Sequence, residues 1–155
     1  MKLMCIIIAC VLHCTYAAVS KPRDLKGLSR IQLVRFEEAA MEQCRVQNNI
    51  SKSLMDDLDK QNVEKVSLPN TREFKCMLGC LSEEMTYIED NKPQWQNMYE
   101  IQEIKFATEK LLKKALKIID VCKTVVTEQD DDRCNLGYEM AKCYLTEAQR
   151  VRLWS

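Results

Sequence analysis

The sequence predicts an all-α domain, and three observations carry that reading. Only three glycines and three prolines interrupt 155 residues, too few turn formers for many short strands. Apolar side chains recur at three- and four-residue spacings through most of the chain. Behind the N-terminal leader stand six cysteines, an even set that reads as a disulfide framework in an exported chain.

The leader comes first. Lys2 precedes "LMCIIIACVLHC", an apolar run shorter than the roughly 20 residues that a membrane span needs. "TYAAVS" then supplies small residues for a cut. Residues 1–17 are expected to be a signal peptide, cleaved somewhere in 17–20, and residues 18–155 a single domain. The protein is therefore expected to be secreted, with no stable membrane insertion. Cys5, Cys10, Cys14 and the only histidine, His13, leave with the leader. The remainder carries 22 basic and 23 acidic side chains, which gives no electrostatic reason to expect nucleic acid.

The elements follow in order. In "DLKGLSRIQLVRFEEAAMEQCRVQNN", Ile31, Val34, Ala39, Met41 and Cys44 trace a loose helical face. "SKSLMDDLDKQN" reads as a short helix capped by Ser51 or Ser53. Pro69 breaks the chain, Asn70 with Glu73 offers a box-like cap, and a helix is expected from there to about Asp90. Ile101 to Val126 has the most regular pattern, with Ile104, Ala107, Leu111, Leu112, Ala115, Leu116, Ile118, Ile119 and Cys122 on one face. Lys110, Lys113, Lys114 and Lys117 stand opposite, as a solvated face or, on a sharper reading, a surface for anionic lipid or a receptor. "EQDDD" caps the last helix from its acidic end. Thr146 and Gln149 suggest a restart near the C-terminus, and Val151, Leu153 and Trp154 are expected to pack.

The thiols limit one another. Side chains four apart on a helix keep their Cβ atoms about 5–6 Å apart, beyond disulfide reach. Cys76 and Cys80 therefore point the same way without bonding each other. Cys134 and Cys143 face opposite sides of one helix. Of the 15 pairings that six thiols allow, ten stay open, and all send Cys76 and Cys80 to different partners. A zinc site would need a second close cluster or a histidine, and a redox pair would need Cys–x2–Cys. Neither is present in the expected mature chain.

The spacing Cys44–x31–Cys76–x3–Cys80–x41–Cys122–x11–Cys134–x8–Cys143, with "DDRCNLGYEMAKCY" at its end, resembles the six-cysteine insect odorant-binding proteins. That resemblance implies a compact bundle of about six helices around an apolar cavity, stapled by three disulfides. It implies the pairing Cys44–Cys80, Cys76–Cys134 and Cys122–Cys143. It also implies a carrier of small hydrophobic molecules such as odorants or pheromones, taken through aqueous fluid to receptors.

From spacing, Leu78, Ser82 and Met85 share one face of the third helix, and Leu112, Ala115, Leu116 and Ile119 share one on the long helix. These residues, with Tyr144 as an aromatic wall and Trp154 from the tail, are the expected ligand contacts. Ser82 offers one hydrogen bond to an alcohol, aldehyde or ester, in competition with its own helix backbone. Methionines supply an adaptable lining. No catalytic residue, metal or cofactor is expected: without histidine there is no Ser–His or Cys–His chemistry, and no Gly-x-Ser-x-Gly elbow occurs. Monomer or weak homodimer is the expected state. The rival readings are a carrier outside olfaction, in saliva, venom or reproductive fluid, and a secreted helical signalling protein.

Overall fold

The structure, a computed structural model, describes residues 24–61 and 67–153; the expected leader and Trp154 lie outside these. After a short 3-10 turn at Leu25–Gly27, six helices follow. They are α1 (Arg30–Gln47), α2 (Lys52–Asp59), α3 (Arg72–Glu84), α4 (Trp95–Lys105), α5 (Glu109–Val125) and α6 (Arg133–Arg150). Between α3 and α4, strands β1 (Ile88–Glu89) and β2 (Lys92–Pro93) pair antiparallel around Asp90 and Asn91, both at positive φ.

Local chemistry sets most helix starts. Ser29 and Gln32 form a capping box on α1. Ser51 accepts from the Leu54 N–H at 3.2 Å, and Asp132 accepts from the Cys134 N–H at 2.9 Å. Two expectations are corrected. The cap of α3 is Thr71, not Asn70, because the Thr71 hydroxyl is the one in reach of the Phe74 N–H, at 3.3 Å. The pattern from Ile101 to Val126 spans two helices. The chain breaks between Phe106 and Thr108, whose hydroxyl accepts from the Leu111 N–H and starts α5.

Three helices end in the same way. A residue in the left-handed region follows the last turn, and the next residue donates its N–H to the carbonyl five positions back. Asn49, Thr86 and Arg152 hold the left-handed positions, with φ of 55°, 58° and 49°. Ile50, Tyr87 and Leu153 then donate to the carbonyls of Arg45, Ser82 and Ala148 at 3.0, 2.7 and 2.9 Å. Helix α3 therefore stops at Glu84 rather than near Asp90, and α6 runs unbroken through Thr146 with no restart before Arg150. The Lys114 ammonium donates to the Arg152 carbonyl at 2.6 Å and ties α5 to the last of these turns.

The two helical glycines mark a close approach of two helices. A Cβ on Gly137 would lie 2.5 Å from the Gly79 Cα, and one on Gly79 would lie 2.6 Å from the Arg133 carbonyl oxygen. No side chain fits there, so α3 and α6 cross backbone against backbone. The disulfides follow the pairing that the family resemblance implied: Cys44–Cys80, Cys76–Cys134 and Cys122–Cys143. Cys76–Cys134 spans the crossing, one turn before the glycines, with Cα atoms 4.1 Å apart. Arg72, at the start of α3, pairs with the capping carboxylate of Asp132 at the start of α6.

The core lies on both sides of this crossing. Phe74, Met77 and Tyr138 pack with Cys44 and Ile50 from α1 and its terminal turn. Ala115, Ile118 and Ile119 of α5 pack with Met98, Leu136 and Met140. Leu25, Leu33, Met85 and Ile101 make a third, smaller cluster. The buried face of α1 is Leu33, Ala40 and Cys44, a correction to the expected stripe. Ile31 is 67% exposed, and Val34 turns toward the cavity described next.

Candidate ligand cavity

One turn beyond Gly79 and Gly137, α3 and α6 part. The space between them is a cavity of about 400 Å³. Helix α3 contributes Leu78, Leu81, Ser82 and Met85, and α6 contributes Met140, Ala141, Tyr144 and Leu145. Met98, Gln102 and Lys105 of α4, with Phe106 just after it, form the third wall, and Arg30, Val34 and Glu37 of α1 the fourth. Tyr87 and Leu153, each placed immediately after a left-handed turn, fold back over α3 and α6 and add to the lining.

Four of the nine residues expected from the sequence meet here: Leu78, Ser82, Met85 and Tyr144. Leu112, Ala115, Leu116 and Ile119 do not line the space. Helix α5 stands one row behind it, where Ala115 and Ile119 are fully buried against Met98, Leu136 and Met140, and Leu112 and Leu116 are half-buried. Trp154 lies outside the described residues, but its neighbour Leu153 is 1% exposed and reaches the cavity. Tyr87, Gln102, Phe106, Glu37 and Lys105 were not expected. Gln102 carried a signal, being the one polar residue of a buried set on α4 with Met98 and Ile101.

The lining is mostly apolar, with a polar corner. The Tyr144 hydroxyl donates to the Gln102 side-chain oxygen at 3.1 Å. Lys105 donates to both oxygens of Glu37, at 2.8 and 2.7 Å, and so joins the end of α4 to α1 beside the cavity. Its ammonium also sits where the helix dipole of α4 favours a cation. Burial pushes the Tyr87 and Tyr144 phenols well above their ordinary range, and the nearby Glu37 carboxylate pushes them further. Tyr87 keeps some accessible surface although protein atoms surround it, because the space it faces is the cavity.

A second hollow, of about 580 Å³, is of another kind. Asp24, Lys26, Glu83, Glu89 and Asn97 make its rim charged and polar. Among the described residues, no group of histidine, cysteine and carboxylate side chains could hold a metal ion, and no helix is long and apolar enough to cross a membrane.

Six helices in a disulfide cage, with an apolar hollow between them, define a helical carrier of small ligands. The sequence profile of the PBP/GOBP family matches residues 32–147, most of the chain, and the chain belongs to that family. Its fold is similar to that of odorant binding protein 5 of Apis mellifera, with a TM-score of 0.63 at 16% identity over 79% of this chain and 93% of that one. It is similar also to the odorant-binding protein dmelOBP28a from Drosophila melanogaster, with a TM-score of 0.62 at 20% identity over 81% of this chain and 99% of that one. The resemblance drawn from the cysteines thus holds. The family is one of binding proteins rather than of enzymes.

Proposed function

We propose that this protein is a secreted carrier that takes up one small hydrophobic molecule in the cavity between α3, α4 and α6 and brings it through aqueous fluid to a receptor. The supporting observation is the cavity itself, about 400 Å³ and walled by Leu78, Leu81, Met85, Met98, Met140 and Phe106. Three of those are methionines, whose unbranched, polarizable side chains adapt to ligands of different shape. Burying about ten CH₂ groups at about 0.8 kcal/mol each is worth about 8 kcal/mol, which corresponds to micromolar binding. Such an affinity permits both uptake and release.

A fluorescent apolar probe tests the reading. It is expected to bind the oxidised mature chain with one site per molecule and to be displaced by C8–C16 volatiles at micromolar concentrations. A chain that neither binds the probe nor releases it to any of them is not such a carrier. With no histidine in the expected mature chain, affinity should change little between pH 6 and 7.5.

A further inference from the structure

The turn that joins α1 to α2 carries an exposed asparagine in a chemically distinctive triplet. Asn49-Ile50-Ser51 matches Asn-x-Ser with a middle residue other than proline, and no other asparagine of the chain begins such a triplet. The fold treats the three residues differently. Ile50 is 6% exposed and packs in the cluster of Phe74 and Met77, while Asn49 and Ser51 on either side face solvent. Asn49 holds its left-handed φ of 55°, which asparagine adopts more readily than most residues. The turn is tied without the Asn49 side chain. The Ile50 N–H donates to the Arg45 carbonyl, the Arg45 guanidinium donates to the Ile50 carbonyl, and the Asn48 amide donates to the Cys44 carbonyl at 2.8 Å. Among the described residues, no group bonds the Asn49 side-chain amide.

We propose that Asn49 is an N-glycosylation site, which takes one oligosaccharide as the chain is exported. This rests on the secreted part of the reading above, itself supported by the expected leader and the three disulfides. The donor is a lipid-diphosphate-linked oligosaccharide. The bond from the anomeric carbon to the diphosphate oxygen breaks, and a bond from that carbon to Asn49 Nδ2 forms. The amide gives up one proton, and the lipid diphosphate leaves. The motif needs the Ser51 hydroxyl, which in the finished fold caps α2 by accepting from the Leu54 N–H at 3.2 Å. Ile50 between them is by then buried. Transfer therefore precedes the closing of this turn, and folding then leaves the modified side chain outside. A bulky, solubilising group belongs at such a surface position. It would also cover Val46, which is 58% exposed one helical turn away. Glu37, on the α1 wall of the cavity, stands about 15 Å along the helix axis from its last residue, Gln47. The glycan thus leaves that wall clear.

The test expresses the full chain, leader included, in cultured insect cells and measures the intact mass of the secreted protein before and after peptide N-glycosidase. The wild type is expected to carry one glycan, and the enzyme to remove it and convert Asn49 to aspartate. Asn49→Asp, which tolerates the left-handed turn, should lack the sugar, and so should Ser51→Ala. Ser51→Thr keeps both the motif and a capping hydroxyl and should retain it. A neutral naphthylamine probe should bind the glycosylated and enzyme-treated proteins equally. Secreted wild type of bare polypeptide mass would overturn the proposal. So would a sugar that survives Asn49→Asp or Ser51→Ala. Weaker probe binding by the glycosylated form alone would overturn the placement away from the cavity. A chain kept inside the cells with its leader uncut would overturn the secreted reading, and the glycan with it.

Discussion

The glycine crossing and the cavity are made from the same two helices, one turn apart. At Cys76, Gly79, Cys134 and Gly137 the backbones of α3 and α6 touch. At Ser82, Met85, Met140 and Tyr144 they enclose empty space. The first region has no tolerance: a single added carbon meets main-chain atoms, which cannot swing aside. The second is lined by long, mobile side chains around a void. Two crossing helices diverge on either side of their contact, so a tight crossing creates the gap beside it. The closest packing is at the crossing, and the hollow is at the divergence.

Substitutions can pull the two apart. The largest effect is expected from removing the crosslink at the crossing, Cys76→Ser with Cys134→Ser. It frees a loop of 58 residues, for an expected loss of about 4 kcal/mol, against about 3 for the 21-residue separation of Cys122 and Cys143. Thermal unfolding of the two double variants side by side checks the order. Next comes Gly137→Ala, with a loss of about 3 kcal/mol as the backbones are forced apart. Gly27→Ala, with nothing within 4 Å of the new carbon, should move stability by less than about 0.5 kcal/mol. If Gly137→Ala is as harmless as Gly27→Ala, the crossing does not carry the stability assigned to it.

Smaller effects belong to the cavity side. Glu37 and Lys105 are both about 70% covered, and a double-mutant cycle on the pair should give a coupling of about 0.5–1 kcal/mol that shrinks in high salt. A coupling near zero would remove the pair as a tie between α1 and α4. The two regions should also differ in their response to pH. At the crossing, the Arg72 guanidinium holds the Asp132 carboxyl below its usual value, helped by the N–H groups of Cys134 and Asn135. A depressed carboxyl contributes stability above its unfolded value, near 3.8, and loses it as pH falls through the folded one. Beside the cavity the sign is opposite. The Tyr87 and Tyr144 phenols are raised, so their contribution is complete below pH 10 and fades only as pH climbs above it. Tyr99, whose hydroxyl donates to Asp120, is pushed up to about 12 by that bond. Asp132→Asn should flatten the acid limb of the stability profile and leave the alkaline limb alone. Phenolate absorbance that appears fully near pH 10 in the folded chain would contradict the second half.

How much of this was legible in the sequence follows from how local each cause is. Helix starts at Ser51 and Asp132 could be read because a cap and its amides lie within three residues of each other. The face of α3 could be read because Leu78, Ser82 and Met85 repeat at helical spacing. The break before Thr108 was hidden because Ile104, Leu111 and Leu112 keep the apolar rhythm across it. The end of α3 was hidden because Thr86, a β-branched residue, takes the left-handed position that composition would give to glycine. That misplaced end put Tyr87 inside the expected helix rather than after it. Helix α5 looked like a cavity wall because its apolar face is the broadest in the chain; only the packing shows that α4 stands in front of it.

The left-handed turns after α3 and α6 have a consequence for redesign. Each presents one side chain, Tyr87 or Leu153, to the hollow from a position beyond the last helical residue. Leu153 is also fully buried in the core and Tyr87 packs against it, so the hollow and the frame share these two side chains. A change at either position alters the hollow and the packing around it together, with a cost of about 2–5 kcal/mol for truncating the buried Leu153. Part of the hollow's outline is therefore set by two residues that no helix contains.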